Sequence, residues 1–243
     1  VRFGPVPIGI SICEDIWVDD GPTAAQVRLG GARVIVNISA SPYHRGKGKE
    51  REKLMQRRAR ENGCWLVYVN LVGGQDELVF DGCSVVADPR GRTIARARAF
   101  EEDLIVADID CGAALIAGRR SGPRAGSAAR VQIVDLPALP ALRRKRPIRP
   151  RRAEHLEPIE EVYRALLMGT RDYVNKNGFS NVVLGMSGGV DSSVIVALMR
   201  AVSSSGVRSF TVGHDGEDSE ARDAAAIARH LGTNHTEIHV TAD

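Results

Sequence analysis

Cysteine is scarce in this sequence: 243 residues carry four, Cys13, Cys64, Cys83 and Cys111, and no two stand as a C-x-x-C pair. Their wide spacing supports neither a zinc site nor a disulfide framework, so reduced thiols are expected. Long apolar runs are missing as well. None approaches the roughly 20 residues that span a bilayer, and no signal peptide is legible at Val1-Arg2-Phe3, which leaves a soluble cytoplasmic protein with no membrane partner as the expectation. A large excess of either charge is absent too, with 33 Lys and Arg against 30 Asp and Glu, a formal +3. What excess there is gathers in 119–152, where Arg143-Arg144-Lys145-Arg146 sits among Pro137, Pro140, Pro147 and Pro150. A basic tract can bind nucleic acid, but no aromatic residues interleave here for base stacking and no recognition motif accompanies it, so it reads as a solvated linker. The chain also lacks a starting Met and stops at Thr241-Ala242-Asp243, just after an apolar-alternating run at 236–240. It reads as a fragment or a partial gene product.

What is present suffices for one large or two smaller domains, since 43% of the residues are hydrophobic and the length supports real cores. Residues 1–110 alternate strands and helices: strands at 7–12, 33–38 and 65–70, helices at 23–29 and 50–61, the second ended by Asn62-Gly63. Strands at 79–87, 93–97 and 104–109 follow, separated by turn signals such as Pro89-Arg90-Gly91. Residues 111–156 read as the linker, with a strand only at 131–136. Residues 157–243 form a second domain. It opens with an amphipathic helix at 158–177, in which Ile159, Val162, Leu166, Leu167 and Tyr173 fall near helical spacing and Gly178 is the C-cap. A βαβ unit comes next, strand 182–185, helix 192–202 and strand 207–212, and then a helix at 219–231 capped by Gly232.

Between the first strand and helix of that unit lies Ser187-Gly188-Gly189-Val190-Asp191-Ser192-Ser193. Two glycines let the backbone take positive φ and approach a ligand, and the helix start offers N–H groups to an anion. Ser187, Ser192 and Ser193 add hydroxyls suited to phosphate oxygens. The Asp191 carboxylate is awkward beside phosphate unless a cation stands between, so a Mg²⁺–nucleotide explains the set economically. The same pattern also fits a bare strand-to-helix turn with Ser as N-cap. It is neither a Walker loop nor the dinucleotide G-x-G-x-x-G. His214, Asp215, His230, His235 and His239 fit no compact ligand spacing, and no metal is assigned to them.

Cys13 follows the first strand directly and precedes Glu14-Asp15-Ile16-Trp17. A thiol at the mouth of a turn is presented for reaction if a neighbour takes its proton, although a cysteine at a strand end also serves as a small apolar filler.

Three resemblances narrow these readings. S-G-G-V-D-S-S after an apolar strand resembles the PP-loop of the N-type ATP pyrophosphatases, which adenylate a carboxylate for attack by ammonia. G-I-S-I-C-E-D-I-W, A-R-V-I-V-N-I-S-A-S-P-Y-H-R-G-K and V-Y-V-N-L-V-G-G-Q-D-E-L-V-F-D-G-C-S-V-V, in that order, resemble the nitrilase-like amidases in their glutaminase form. That likeness implies an α-β-β-α sandwich, truncated here and joined to the start of a Rossmann-like parallel α/β PP-loop domain. It also implies Cys13 as nucleophile, an oxyanion contact from the Glu14 N–H, and glutamine contacts at Glu14, Trp17 and Ser41. The family's general-base Glu and its Lys both precede the cysteine, and residues 1–12 hold neither, so this chain alone is expected to be nearly inactive as an amidase. The two domains in this order are similar to glutamine-dependent NAD synthetases. The likeness implies ATP bound by Ser187, Gly188, Gly189, Asp191, Ser192 and Ser193, Mg²⁺ at Asp191, and glutamine and deamido-NAD as the other substrates of a homo-oligomer. After the loop, S-S-V-I-V-A-L-M, R-S-F-T-V-G-H-D and A-A-A-I-A-R-H-L-G-T-N-H-T-E-I-H-V-T look more like asparagine synthetase. An amidotransferase acting on aspartate therefore stays open, as does a non-catalytic interaction module.

Overall fold

The computed structural model describes residues 1–112, 130–137, 146–214 and 219–240. The chain forms two compact units, Val1–Val72 with Phe80–Glu161, and Gly73–Val79 with Val162–Asp243. The elements of the first are β1 (Arg2–Phe3), β2 (Val6–Ile12), a 3-10 turn (Cys13–Ile16), α1 (Pro22–Arg28), β3 (Val34–Ser39), α2 (Lys47–Asn62) and β4 (Trp65–Asn70). A hairpin of β5 (Val72–Gln75) and β6 (Leu78–Asp81), whose residues Gly73–Val79 belong to the second unit, leads to β7 (Val85–Ala87), β8 (Thr93–Arg96) and β9 (Asp135–Leu136) of the first. The sheet runs β8-β7-β4-β3-β2-β1-β9, with β2, β3 and β4 parallel at its centre and antiparallel pairs at β1–β2, β4–β7 and β7–β8.

Register explains which residues meet. Ile8, Val34 and Trp65 stand level across the three parallel strands, as do Ile10, Val36 and Val67, and Ile12, Ile38 and Val69, so one face is wholly apolar. The alternate positions, Gly9, Ile35 and Leu66, then Ser11, Asn37 and Tyr68, then Ser39 and Asn70, lie on the helix-covered face. There Leu54, Met55 and Ala59 of α2 pack with Ile16, Leu66, Tyr68 and Val85, and Val27 of α1 packs with Ile35. Burial of side chains such as Met55 and Leu66, both fully covered, contributes about 1.5–3 kcal/mol each. Although α2 is rich in charge, Arg51, Leu54, Met55, Arg58 and Ala59 recur at helical spacing and make one buried stripe. Gly63 ends it in the left-handed conformation.

On the opposite face the segment 105–111 lays Ile105, Ala107, Ile109 and Cys111 against Val34, Trp65, Val86 and Ala95, while Ile10, Ile12, Ile38 and Val69 remain exposed. The described residues of this unit thus supply one helix layer packed on one sheet layer.

The reading of 104–109 as a strand is not met: the segment alternates in burial but is assigned to no strand. Its side chains pack across the sheet face, and that packing produces the same period of two. The strand read at 79–87 is two strands, because Gly82 and Cys83 both have positive φ, 67° and 54°, and turn the chain. Only 135–136 of the strand read at 131–136 pairs, in parallel with β1. The basic cluster 143–145 lies outside the described residues. The tract that follows is exposed yet pinned to the first unit: the backbone of Arg151 and Ala153 pairs with Arg96, and Arg151 forms an ion pair with Asp103.

The second unit holds α3 (Pro158–Lys176) from Val162 on, β10 (Val183–Gly185), α4 (Val190–Val202), β11 (Arg208–His214), α5 (Ser219–Leu231) and β12 (Asn234–Val240). Its three strands are parallel in the order β10-β11-β12. Ala224 and Ala228, four apart on α5, let that helix approach Met186 and Val196 closely, with Leu184, Ile227 and Leu231 around them. α3 buries Ala165 and Met168, whereas Leu166 and Tyr173 stay exposed. Asp172 accepts from the Gly74 N–H at 2.7 Å and Lys176 donates to the Gly74 carbonyl at 2.5 Å, which ties the hairpin tip to this helix.

Candidate functional site

Cys13 stands where β2 ends, beside the C-terminal ends of β3 and β4. Its φ is 42°, a left-handed conformation that costs a residue other than glycine about 1–3 kcal/mol and persists only where the surroundings impose it. The surroundings are polar and buried. Asn37 Nδ2 donates to Ser11 Oγ at 3.0 Å and reaches the Cys13 carbonyl at 3.5 Å, while its Oδ1 accepts from Ser39 Oγ at 2.7 Å. Asp15 Oδ2 accepts from the Ile12 N–H at 2.8 Å, and the Trp17 N–H closes the turn on the Glu14 carbonyl at 2.9 Å. Burial pushes the thiols of Cys64 and Cys83 up to about 12, with the Asp81 carboxylate adding to the effect at Cys83. Burial also raises that of Cys111. Those three are held as thiols. Cys13 shares its left-handed backbone with Cys83, at φ 54°, but unlike it directly follows the central parallel strand β2.

A cavity of about 640 Å³ opens beside Cys13, lined by Ile12, Ile38, Ser39, Asn70 and Cys83 among others. Of the other sequence-identified residues, Glu14 is exposed, and Trp17 is half-buried with the Lys47 ammonium 4.2 Å over its ring. Neither they nor Ser41 line this cavity. Ser41 is buried: its N–H donates to Asn70 Oδ1 at 2.8 Å, and its carbonyl accepts from Arg51 Nη1 at 3.3 Å. Arg51 in turn is held by both oxygens of Asp81 at 2.5 Å. Asn37, Asn70, Arg51, Arg58 and Asp81 were missed in the sequence. Asn in the interior of apolar strands, V-N-I-S and Y-V-N, is the signal that could have found two of them.

The serine loop lies at the end of β10. Gly188 has φ 79°, and a Cβ there would come within 2.8 Å of the Glu220 carbonyl oxygen and 3.1 Å of Asp223 Cβ, so the loop and α5 approach as closely as they do because the residue is glycine. The hydroxyls bond within the loop. Ser187 Oγ and Ser192 Oγ lie 3.1 Å apart, the Gly189 N–H donates to Ser187 Oγ at 3.3 Å, and Ser193 Oγ donates to the Gly189 carbonyl at 2.6 Å. Asp191 is exposed in the first turn of α4, which begins at Val190, two residues before the sequence suggested. A largely apolar recess of about 390 Å³ touches Gly188, Gly189 and Ser193 but not Ser187, Asp191 or Ser192. An exposed carboxylate beside hydroxyls is the oxygen donor set that Mg²⁺ takes together with phosphate. Among the described residues no three His, Cys, Asp or Glu side chains converge as a metal site by themselves. The side chain of His214 and residue Asp215 lie outside what is described.

Residues 1–114 match the Carbon-nitrogen hydrolase family and residues 171–243 the Asparagine synthase family. The glutamine-dependent NAD(+) synthetase of Aquifex aeolicus is 44% identical over 239 residues, covering 96% of this chain. From end to end the chain is similar to glutamine-dependent NAD(+) synthetases. The synthetase of Thermotoga maritima is 35% identical over 99% of the chain. The solved structure of the Acinetobacter baumannii synthetase in complex with adenosine diphosphate superposes with a TM-score of 0.76 at 30% identity, again over 99% of the chain. The chain spans about 40% of the length of these synthetases. Its fold is accordingly a carbon–nitrogen hydrolase layer pair followed by the start of a PP-loop domain. No helix among the described residues is long and apolar enough to cross a membrane.

Proposed function

We propose that the chain carries parts of both centres of a glutamine-dependent NAD synthetase, an ATP-dependent ligase that hydrolyses glutamine and uses the ammonia to amidate deamido-NAD. One observation carries the reading. A strained cysteine at the end of one parallel strand and a serine–glycine loop at the end of another occur in one chain that is similar to such synthetases over 96–99% of its length.

In this reading Cys13 Sγ attacks the glutamine amide carbon, ammonia leaves, and water hydrolyses the thioester to release glutamate. By the resemblance the Glu14 N–H stabilises the oxyanion and Glu14, Trp17 and Ser41 contact glutamine, although none of the three lines the cavity beside Cys13 and Ser41 is buried. The loop residues Ser187, Gly188, Gly189, Ser192 and Ser193 hold the phosphates of ATP, as the adenosine diphosphate bound by the Acinetobacter baumannii relative supports. The deamido-NAD carboxylate attacks the α-phosphorus and expels pyrophosphate, after which ammonia displaces AMP from the acyl adenylate. Mg²⁺ held at Asp191 would neutralise charge on the pyrophosphate. Residues 1–110 form the amidase part, 111–156 the connection and 157–243 the ATP-binding part of a cytoplasmic homo-oligomer.

A second reading, amidation of aspartate, is favoured by the match of 171–243 to the Asparagine synthase family. ATP–pyrophosphate exchange in the full-length protein separates the two. Exchange promoted by deamido-NAD is expected, exchange promoted by aspartate alone would replace the first reading with the second, and exchange with neither acid would overturn both.

A further inference from the structure

The geometry points to Arg58 as a positioning residue for Cys13. This rests on the reading of Cys13 as the nucleophile. The buried stripe of α2 carries two arginines with different tasks. Arg51 is held by Asp81, away from the turn, whereas Arg58 is aimed at the turn itself. Its Nε donates to the Ile16 carbonyl at 2.9 Å and its Nη2 to the Trp17 carbonyl at 2.8 Å. Nη2 also lies 2.5 Å from Asp19 Oδ1, and Nη1 lies 3.0 Å from Glu61 Oε2. The side chain is 1% exposed.

A guanidinium taken out of water needs an acceptor along each edge. Here two of the acceptors are the backbone carbonyls of Ile16 and Trp17, at the C-terminal end of the turn begun at Cys13. A planar fork fixes both peptide planes together, which the single charge of a lysine does not do. In a 3-10 turn the peptide planes are aligned through i to i+3 bonds, here from the Trp17 N–H to the Glu14 carbonyl. Orienting the carbonyls at one end therefore orients the amide of Glu14 next to Cys13 at the other. Asn37 holds the Cys13 carbonyl from the strand side, so the residue at φ 42° is gripped from below by β3 and from beyond the turn by α2. Arg58 touches no substrate in this arrangement. It acts through the backbone.

Iodoacetamide labelling of the 243-residue chain tests this without any substrate, with Cys13 and Cys111 followed peptide by peptide and the thermal midpoint measured in parallel. Arg58→Lys and Arg58→Met are expected to slow Cys13 labelling relative to Cys111 by about fivefold or more, because a displaced reactive atom loses far more rate than the fold loses stability. Wild-type relative labelling in Arg58→Lys, whatever its thermal midpoint, overturns the proposal. Should neither Arg58 variant fold, Asp19→Asn carries the test. It removes a surface partner only, so a slowing of about twofold supports the role and unchanged labelling overturns it. In the full-length protein Arg58→Lys should lower kcat for glutamine hydrolysis about tenfold with KM nearly kept. A rise in KM at constant kcat would make Arg58 a binding residue and overturn the proposal. If the wild-type full-length protein hydrolyses no glutamine, the glutaminase reading fails while the labelling result still decides the part played by Arg58.

Discussion

The cysteine turn and the serine loop occupy the same kind of place, the C-terminal end of a parallel strand, and each contains a residue of positive φ, 42° at Cys13 and 79° at Gly188. They are held in opposite ways. The cysteine turn keeps a conformation that its own residue disfavours, gripped by Asn37 of β3 and Arg58 of α2, both buried. The serine loop removes the strain by using glycine, and its exposed hydroxyls bond mainly to one another. Under the proposed function Cys13 carries a nucleophilic atom, which has to be fixed before the substrate arrives, and buried polar groups hold its turn. Under the same proposal the loop cradles phosphate and has to release donors when the ligand comes, and bonds within the loop are exchanged at little net cost.

The largest effect expected tests whether the two regions work separately. Cys13→Ala in the full-length protein should abolish glutamine-supported NAD formation and leave ammonia-supported formation near wild type, measured by product yield with each nitrogen source. Loss of both would mean that the two centres cannot be uncoupled. Gly188→Ala comes next. Its Cβ would meet the Glu220 backbone oxygen at 2.8 Å, and backbone cannot swing away, so ATP–pyrophosphate exchange should be lost and stability should fall by about 1–3 kcal/mol in denaturant unfolding. Gly178 has φ 70° with nothing within 4 Å, and Gly178→Ala should cost only about 1 kcal/mol and spare exchange. Equal costs at the two glycines would show that crowding by α5 does not shape the loop.

The contrast in support sharpens with Asp81→Asn set against Ser192→Ala. Arg51 and Asp81 are both buried, and breaking such a pair costs about 3–5 kcal/mol. Arg51 also holds the Ser41 carbonyl, so the thermal midpoint and glutamine hydrolysis should fall together. Ser192→Ala removes bonds the loop makes to itself and should cost about 1 kcal/mol. A small loss in Asp81→Asn would show that the cysteine region does not depend on its buried ions.

The two regions also differed in how far they could be read from residues alone. Both strand–turn–helix frames were legible, because alternation at 7–12 and 65–70 and helical spacing at 219–231 reflect which face is buried. The positions of Cys13 at a strand end and of the loop serines at a strand-to-helix turn were legible as well, since glycine and turn geometry is local. What supports Cys13 was not. Arg51 and Arg58 on α2 look like solvated charge in a helix that is mostly Lys, Arg and Glu. They become supports only when β6 brings Asp81 to one and the turn brings the Ile16 and Trp17 carbonyls to the other, contacts 30 and 42 residues away. The misread segment at 104–109 fails for a related reason. A period of two reports burial on one side, which a chain crossing a sheet face shares with a strand inside the sheet. In α3 the exposed Leu166 and Tyr173 belong to the helical stripe, but spacing alone cannot say how much of a stripe is covered.

The smallest effect concerns the strap that ends the basic tract, where the cysteine-bearing unit adds one more buried ionic contact. His155 Nε2 lies 2.9 Å from Glu52 Oε2, and Arg96 donates to both Glu52 oxygens. Burial opposes the charge on Glu52, but the bonds from Arg96 and Thr93 outweigh it and hold its pKa below the ordinary 4.5. Burial together with the Arg96 charge outweighs Glu52 at His155 and holds that pKa below the ordinary 6.5. The signs follow from linkage. The Glu52 contribution is present above pH 4.5 and disappears as the pH falls through its lower folded value. At His155 the unfolded chain takes up the proton first, so stability begins to decline as the pH falls through 6.5. Urea midpoints measured across this range should therefore show two declines, a shallow one from His155 and a later one from Glu52. His155→Gln should remove the first and keep the second. If the upper decline survives in His155→Gln, the strap is not what titrates, and the pinning of 151–155 contributes contact without pH dependence.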